Sequence, residues 1–210
     1  FYDDMLRHDV RPLTLGGDHT LSLPILRAME KKHGPLALLH IDAHADINSH
    51  MFGEKIAHGT PFRRAFEEGL LEADHVFQIG LRGTGYTAED FDWASERGFQ
   101  VVQAEQLWHQ SAAPLMAQIR QQIGARPVYL SFDIDSLDPA YAPGTGTPEI
   151  GGLTSIQALE IIRGCRGLSL VGADLVEVSP PYDTNGNTAL LAANLLFEML
   201  CVLPGVAYRD

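Results

Sequence analysis

Short apolar runs alternate with amphipathic stretches along the whole chain, and this alternation restricts the fold more than any other feature. The runs cover residues 12–15, 36–41, 75–81, 99–102, 127–132 and 168–171. Each has the length of a strand, is rich in Val, Ile, Leu, Phe or Tyr, and is bounded by Gly, Pro or Asp. Leu36-Ala37-Leu38-Leu39 is apolar without a break, as expected of a strand buried on both faces. Helices are expected between the runs, over 21–32, 61–69, 88–97, 114–123, 155–165 and 188–203. Thr154-Ser155 reads as a helix start, because a hydroxyl there can accept from the free amides of the first turn. Within 155–165, Ile156, Leu159, Ile161 and Ile162 are expected on one buried stripe. The alternation predicts right-handed βαβ units and a mainly parallel sheet covered on both sides, a three-layer α/β/α fold. No linker or internal repeat divides the 210 residues, so one domain over 1–210 is expected.

Composition narrows the function. Asp and Glu number 27 against 15 Lys and Arg, a net charge of −12. That balance excludes nucleic acid and anionic membranes as partners, since both need a basic face. Two cysteines, Cys165 and Cys201, exclude a disulfide framework and a thiolate zinc site. No apolar run approaches the ~18 residues of a spanning helix. No signal peptide is expected from the opening residues. A cytoplasmic location is the expectation.

In parallel α/β sheets the active site lies beyond the carboxyl ends of the strands. Three unusual polar clusters fall there. Gly16-Gly17-Asp18-His19-Thr20 follows the first run, and its glycines permit a sharp turn into the next helix. Asp42-Ala43-His44-Ala45-Asp46 follows the second. If that strand continues, Asp42, His44 and Asp46 point the same way, with small alanines between them. Three polar groups in a row on a buried face are costly unless a cation compensates them. Ser131-Phe132-Asp133-Ile134-Asp135-Ser136-Leu137-Asp138-Pro139 ends the fifth run, with Asp133 and Asp135 two apart. Asp138, before Pro139, reads as a turn residue. The candidate ligands are thus His19, Asp42, His44, Asp46, Asp133 and Asp135. Their four carboxylates match the charge of two divalent ions, and oxygen-rich ligation with a few imidazoles suits Mn²⁺.

In this order, GGDH, DAHxD and SFDxDxLDP resemble the signature of the ureohydrolases, the family of arginases, agmatinases and related guanidino-acid hydrolases. The resemblance covers essentially the whole chain. It implies an arginase-like fold and a centre of two Mn²⁺. His19, Asp42, Asp46 and Asp133 would hold one ion, and Asp42, His44, Asp133 and Asp135 the other, with Asp42 and Asp133 shared. By the same match Asp46 is the expected catalytic proton carrier. The resemblance also implies that Glu177, in Asp174-Leu175-Val176-Glu177, would pair with the substrate guanidinium, whose fork a planar carboxylate fits. His58 is the expected proton shuttle.

Residues 47–53 should wall the pocket. Asn48, His50 and Met51 are the expected substrate contacts there, Met51 as an apolar spacer against methylenes. Asp18, His40 and Glu149 are candidates to support the ligands, and Arg63 and Arg82 are candidates to hold a substrate anion. The stretches 142–149 and 178–183 look more like the agmatinase and guanidinobutyrase branch than arginase proper. Agmatine and 4-guanidinobutyrate are the substrates this implies, giving urea and an amine. Two alternatives stay open: a formiminoglutamase-type hydrolase, and a non-catalytic metal-binding subunit of a ureohydrolase assembly. The family also implies a homo-oligomer, trimer or hexamer. Family chains carry further strands before GGDH, so an N-terminally truncated sheet is expected.

Overall fold

The computed structural model describes residues 1–85 and 89–207. A short helix α1 (Tyr2–Met5) leads to strand β1 (Leu13–Leu15), helix α2 (Ser22–His33) and strand β2 (Leu36–Ile41). Helix α3 (Pro61–Glu67), strand β3 (Leu71–Leu81), helix α4 (Glu89–Glu96) and strand β4 (Gln100–Gln103) follow. The chain continues through helix α5 (Ala113–Ile123), strand β5 (Pro127–Asp133), helix α6 (Ser155–Gly164), strand β6 (Ser169–Val176) and helix α7 (Asn187–Val202). The six strands form one sheet, in the order β1-β6-β5-β2-β3-β4, and every pairing is parallel.

Strand alternation divides the core in two. Every residue of β2 is buried. Leu36 and Leu38 pack with Leu23, Leu26, Met29, Phe62 and Trp93 beneath α2, α3 and α4. Ala37, Leu39 and Ile41 face the other way, toward Met116, Ile119, Ile161, Ile162, Leu195 and Met199 of α5, α6 and α7. This is the expected three-layer fold. No helix among the described residues is long and apolar enough to cross a membrane.

The sheet order also fixes where the polar clusters meet. From β2 the chain proceeds outward to β3 and β4, then returns so that β5 lies on the other side of β2. A crevice opens at such a reversal, beyond the strand ends. Ile41 pairs with Phe132, so Asp42 and Asp133 leave the sheet side by side. Leu15 pairs with Leu175, which sets the GGDH turn beside Glu177.

Several boundaries differ from the sequence pattern. β6 runs on to Val176, because Gly172 interrupts the apolar run without breaking the strand. A Cβ at Gly172 would come within 3.2 Å of Pro12, Tyr129 and Met29, so the glycine permits close packing. β3 starts at Leu71, ahead of the expected 75. Ile156 does not join the buried stripe of α6; it is 67% exposed, while Ala158, Ile161 and Ile162 face the core. Thr154 does start that helix, with Thr154 and Gln157 each capping the other's backbone. Ala88, the expected first residue of the helix over 88–97, lies outside the described residues.

Candidate metal centre

The six candidate ligands converge at the crevice, but not by strand continuation. β2 ends at Ile41, and each acidic cluster is shaped by a turn instead. Asp42 Oδ1 accepts from the His44 amide at 2.7 Å. Asp133 Oδ1 accepts from the Asp135 amide at 2.8 Å. Both are Asx turns, in which the carboxylate folds its own backbone and presents the residue two places on. Asp46 enters with φ of 52°, in the left-handed region that Asp tolerates better than most residues.

His19 sits at the centre. Its Nδ1 lies 2.9 Å from Asp46 Oδ2, 3.2 Å from Asp42 Oδ2 and 3.3 Å from Asp133 Oδ2. Its Nε2 lies 2.8 Å from the Ser131 hydroxyl. The one hydroxyl proton of Ser131 goes to Asp174 Oδ1, at 2.7 Å. Ser131 therefore accepts from His19 Nε2–H, which turns Nδ1 toward the three carboxylates. That atom is buried and has no hydrogen-bond partner. Burial opposes a charged His19, yet Asp133, Asp42 and Asp46 push its imidazole well above the usual range, so the position between Nδ1 and the carboxylates calls for a cation, a proton or a metal ion in its place. The donor set fits a metal ion.

His40 supports this arrangement. Gln78 Nε2 donates to His40 Nδ1 at 3.0 Å and to the Ala45 carbonyl at 2.7 Å. The other ring nitrogen of His40 therefore carries the proton and donates to Asp42 Oδ2, at 2.7 Å. His40 orients Asp42, as a histidine behind a ligand does. The ligand atoms of His19, His40, Asp42 and Asp46 lie within 4.8 Å of one another, as do those of Asp42, His44 and Asp135. Asp42 belongs to both groups, so two adjacent cation positions are the natural reading.

The electrostatics agree. Burial, with Asp135 and Asp42 alongside, pushes the Asp133 carboxyl well above the usual carboxylate range. Burial and Asp42 raise Asp135 in the same way. Burial opposes a charged His44, yet Asp135 and Asp42 push its imidazole up to about 12. Without metal, the cluster holds itself together with protons. A raised folded pKa gives stability that is lost as pH rises. For His44 that contribution is full below 6.5 and declines toward about 12. For Asp133 it is full below 3.8 and is lost through its raised value. Metal binding requires the same groups without their protons. The melting temperature of metal-free protein is therefore expected to fall between about pH 6.5 and 8.5, while the increase caused by Mn²⁺ grows. A Mn²⁺-induced shift that shrinks over this range would contradict the assignment.

A cavity of about 730 Å³ opens over the centre, lined among others by Asp46, Asn48, Met51, His58, Asp133, Asp135 and Glu177. Glu177 is half-buried, and burial raises its carboxyl. Its Oε1 accepts from the His19 amide at 2.7 Å, and its amide donates to the Gly17 carbonyl at 2.9 Å. Glu177, like Asp46, is held at positive φ, here 64°. Such backbone costs on the order of 1–3 kcal/mol and clusters at functional sites. The loop 48–59 is closed by the Asn48 amide donating to the Gly59 carbonyl at 3.0 Å. Gly59 leaves room for Met51 and Asn48, whose side chains would lie within 2.9 Å of a Cβ there.

Some expected residues fall elsewhere. His50 is exposed on the outside of its loop and does not line the cavity. Asp18 caps the short turn of His19–Leu21 through the Thr20 amide and leaves the ligands alone. Arg63 lies against Glu67 and over the Trp93 ring, away from the cavity wall. Arg82 is at the wall, but its guanidinium is bound to backbone carbonyls rather than aimed at a ligand. Glu149 does approach the centre, with Oε1 3.7 Å from His44 Nε2. Sequence reading missed Asp174, which accepts from Ser22, Tyr129 and Ser131 at 2.7 Å each and anchors the His19 ring through Ser131. An Asp inside an otherwise apolar strand was the available signal.

Known proteins carry the same architecture. A guanidinobutyrase of Pseudomonas aeruginosa is 72% identical over 208 residues, 99% of this chain and 65% of its own. A mitochondrial agmatinase of Gallus gallus is 62% identical over 205 residues, 98% of this chain and 60% of its own. The chain thus spans less than two thirds of these relatives. The solved proclavaminate amidino hydrolase of Streptomyces clavuligerus superposes with a TM-score of 0.88 at 42% identity, covering 94% of this chain and 67% of that one. The model of the arginase family matches residues 1–201. That match spans nearly the whole chain, so the chain belongs to the arginase family.

Proposed function

We propose that this domain is a binuclear manganese hydrolase that cleaves a linear guanidino compound to urea and an amine. The observation that carries the proposal is the buried Nδ1 of His19 within 3.3 Å of three carboxylates, beside a cavity that also holds Glu177. His19, Asp42, Asp46 and Asp133 would hold one ion, and Asp42, His44, Asp133 and Asp135 the other. Bound there, two divalent ions activate water near neutral pH and offset the carboxylate charge.

The chain's own groups do the rest. Glu177 pairs with the guanidinium and fixes its carbon over the centre. Asp46 takes the proton lost by the attacking water and gives it to the departing nitrogen. The products are then urea and a protonated amine. His58 exchanges protons between the cavity and solvent. Asn48 and Met51 meet the far end and the methylenes of the substrate.

Among substrates, 4-guanidinobutyrate comes first, supported by the 72% identical guanidinobutyrase, and agmatine second. The same reading makes the protein cytoplasmic and a homo-oligomer, trimer or hexamer, built on one ureohydrolase domain. The test is urea release by Mn²⁺-loaded protein across a panel of guanidino compounds. Urea from 4-guanidinobutyrate or agmatine is expected. Two bound metals with no urea from any member would leave the formiminoglutamase-type and the non-catalytic readings, which formamide release from formiminoglutamate tells apart.

The loop 48–59 gives a finer expectation. Each buried methylene is worth about 0.8 kcal/mol, so Met51→Ala should change chain-length preference by less than tenfold per methylene. Asn48→Ala should change end-group preference more, since a hydrogen bond to a charge is worth ~1.5–3 kcal/mol. The readout is kcat/KM for agmatine, 4-guanidinobutyrate and 3-guanidinopropionate. Unchanged ratios in both variants would place specificity outside this loop.

A further inference from the structure

Arg82 is surrounded by acceptors. Its Nε donates to the carbonyls of Glu149 at 3.2 Å and Ile150 at 3.1 Å. Its Nη1 reaches Gly80 and Ser136, both at 3.1 Å. Its Nη2 reaches Asp135 at 2.8 Å, Glu149 at 2.7 Å and Leu137 at 3.3 Å. The backbone of the same residue takes part: the amides of Arg82 and Gly83 donate to the Ala43 carbonyl at 2.9 and 2.8 Å. Glycines make this approach possible. A Cβ at Gly152 would lie 2.4 Å from Arg82 Nη2, and one at Gly83 would lie 2.2 Å from the His44 ring.

These contacts join three segments that the sequence keeps far apart. The segment at Ala43 carries His44, the segment at 135–137 carries Asp135, and the segment at 149–150 carries Glu149. His44 Nδ1 lies 3.1 Å from Asp135 Oδ2, and His44 Nε2 lies 3.7 Å from Glu149 Oε1. Asp135 is further held by the Ala43 amide at 3.2 Å and the Thr147 hydroxyl at 3.1 Å. The rigid, planar guanidinium offers more donors than an ammonium and holds them at fixed angles, so it can lock several carbonyls in place at once. Among the described residues no guanidinium is bound to His19, whose ring is held by Ser131 and, through it, by Asp174.

We propose that Arg82 is a positioning residue that assembles the His44–Asp135 half of the metal centre before metal arrives. The inference rests on the two-ion reading given above. Its test is metal titration of Arg82→Met and Arg82→Lys protein beside the parent, followed by calorimetry and by the electron paramagnetic resonance of Mn²⁺. In Arg82→Met one ion is expected to bind with parental affinity, and the second about 10–100-fold more weakly, the usual cost of losing support behind a ligand. The signal of a coupled Mn²⁺ pair at two equivalents should give way to that of an isolated ion. Arg82→Lys keeps the charge and loses the fork, so it should not restore the pair. It also gives a second reading if Arg82→Met fails to fold. Unchanged affinity at both sites, an equal loss at both, or full restoration by lysine would each overturn the proposal. A parent protein that binds fewer than two ions would overturn the two-ion reading itself, not the role of Arg82.

Discussion

Asp133→Asn should lose both metals and all measurable urea release, yet yield a metal-free protein more stable than the parent. Asp133 stands beside Asp42 at the crevice, faces His19 Nδ1 at 3.3 Å and shapes the Asp135 turn through Oδ1. Asparagine keeps the shape and the turn, because its carbonyl oxygen still accepts from the Asp135 amide. It removes one negative charge that both ions are proposed to share. Metal affinity is expected to fall by at least about 100-fold, or about 2.7 kcal/mol. Stability should move the other way, because burial and neighbouring carboxylates disfavour the ionised Asp133. Functional sites commonly carry such a cost to stability. The check is metal content after dialysis, with thermal melting of the metal-free form. Two metals retained per chain would contradict the shared role.

Glu177→Gln should have the opposite signature, with full metal loading and a large loss of kcat/KM. The side chain of glutamine still accepts from the His19 amide, so the GGDH turn and its ligand stay in place. What is lost is a charged partner for the guanidinium in a half-buried site. Removing one member of such a pair costs ~2–5 kcal/mol, or roughly 30- to several-thousand-fold in kcat/KM. Guanidino substrates differing only in their tails should be affected alike, since Glu177 meets the end they share. Near-parental kcat/KM with full metal loading would show that another group binds the guanidinium.

The layers of the fold were legible because β2 and β5 are largely apolar on both faces and alternate with amphipathic helices, as in a parallel sheet covered on both sides. β6 was cut short because a single glycine, Gly172, reads as a break, while in the fold it is where Tyr129 and Met29 press on the strand. Ile156 misled because a helical period identifies a stripe but not which stripe meets the core. At the site, the ligand residues stood out as carboxylates and imidazoles after apolar runs. The reason they converge did not. Strand alternation was expected to align Asp42, His44 and Asp46, but the Asp42 turn places His44 and a left-handed backbone places Asp46, as the Asp133 turn places Asp135, and a turn has no periodicity to read. The supporting groups were hidden further. Asp174 lies 155 positions from His19 and acts on it only through Ser131. Arg82 resembled an anion-binding residue, because sequence says nothing of the carbonyls that enclose it. His50 sits next to residues that face the cavity, and the exposed side of the loop takes it away from them.

The most direct measurement follows urea release from 4-guanidinobutyrate while Mn²⁺ is added stepwise to metal-free protein. The rate should rise as the second equivalent binds and level off at two ions per chain, with no urea at zero. Urea formed without metal, or none with both ions bound and any guanidino compound supplied, would contradict a two-metal guanidino hydrolase.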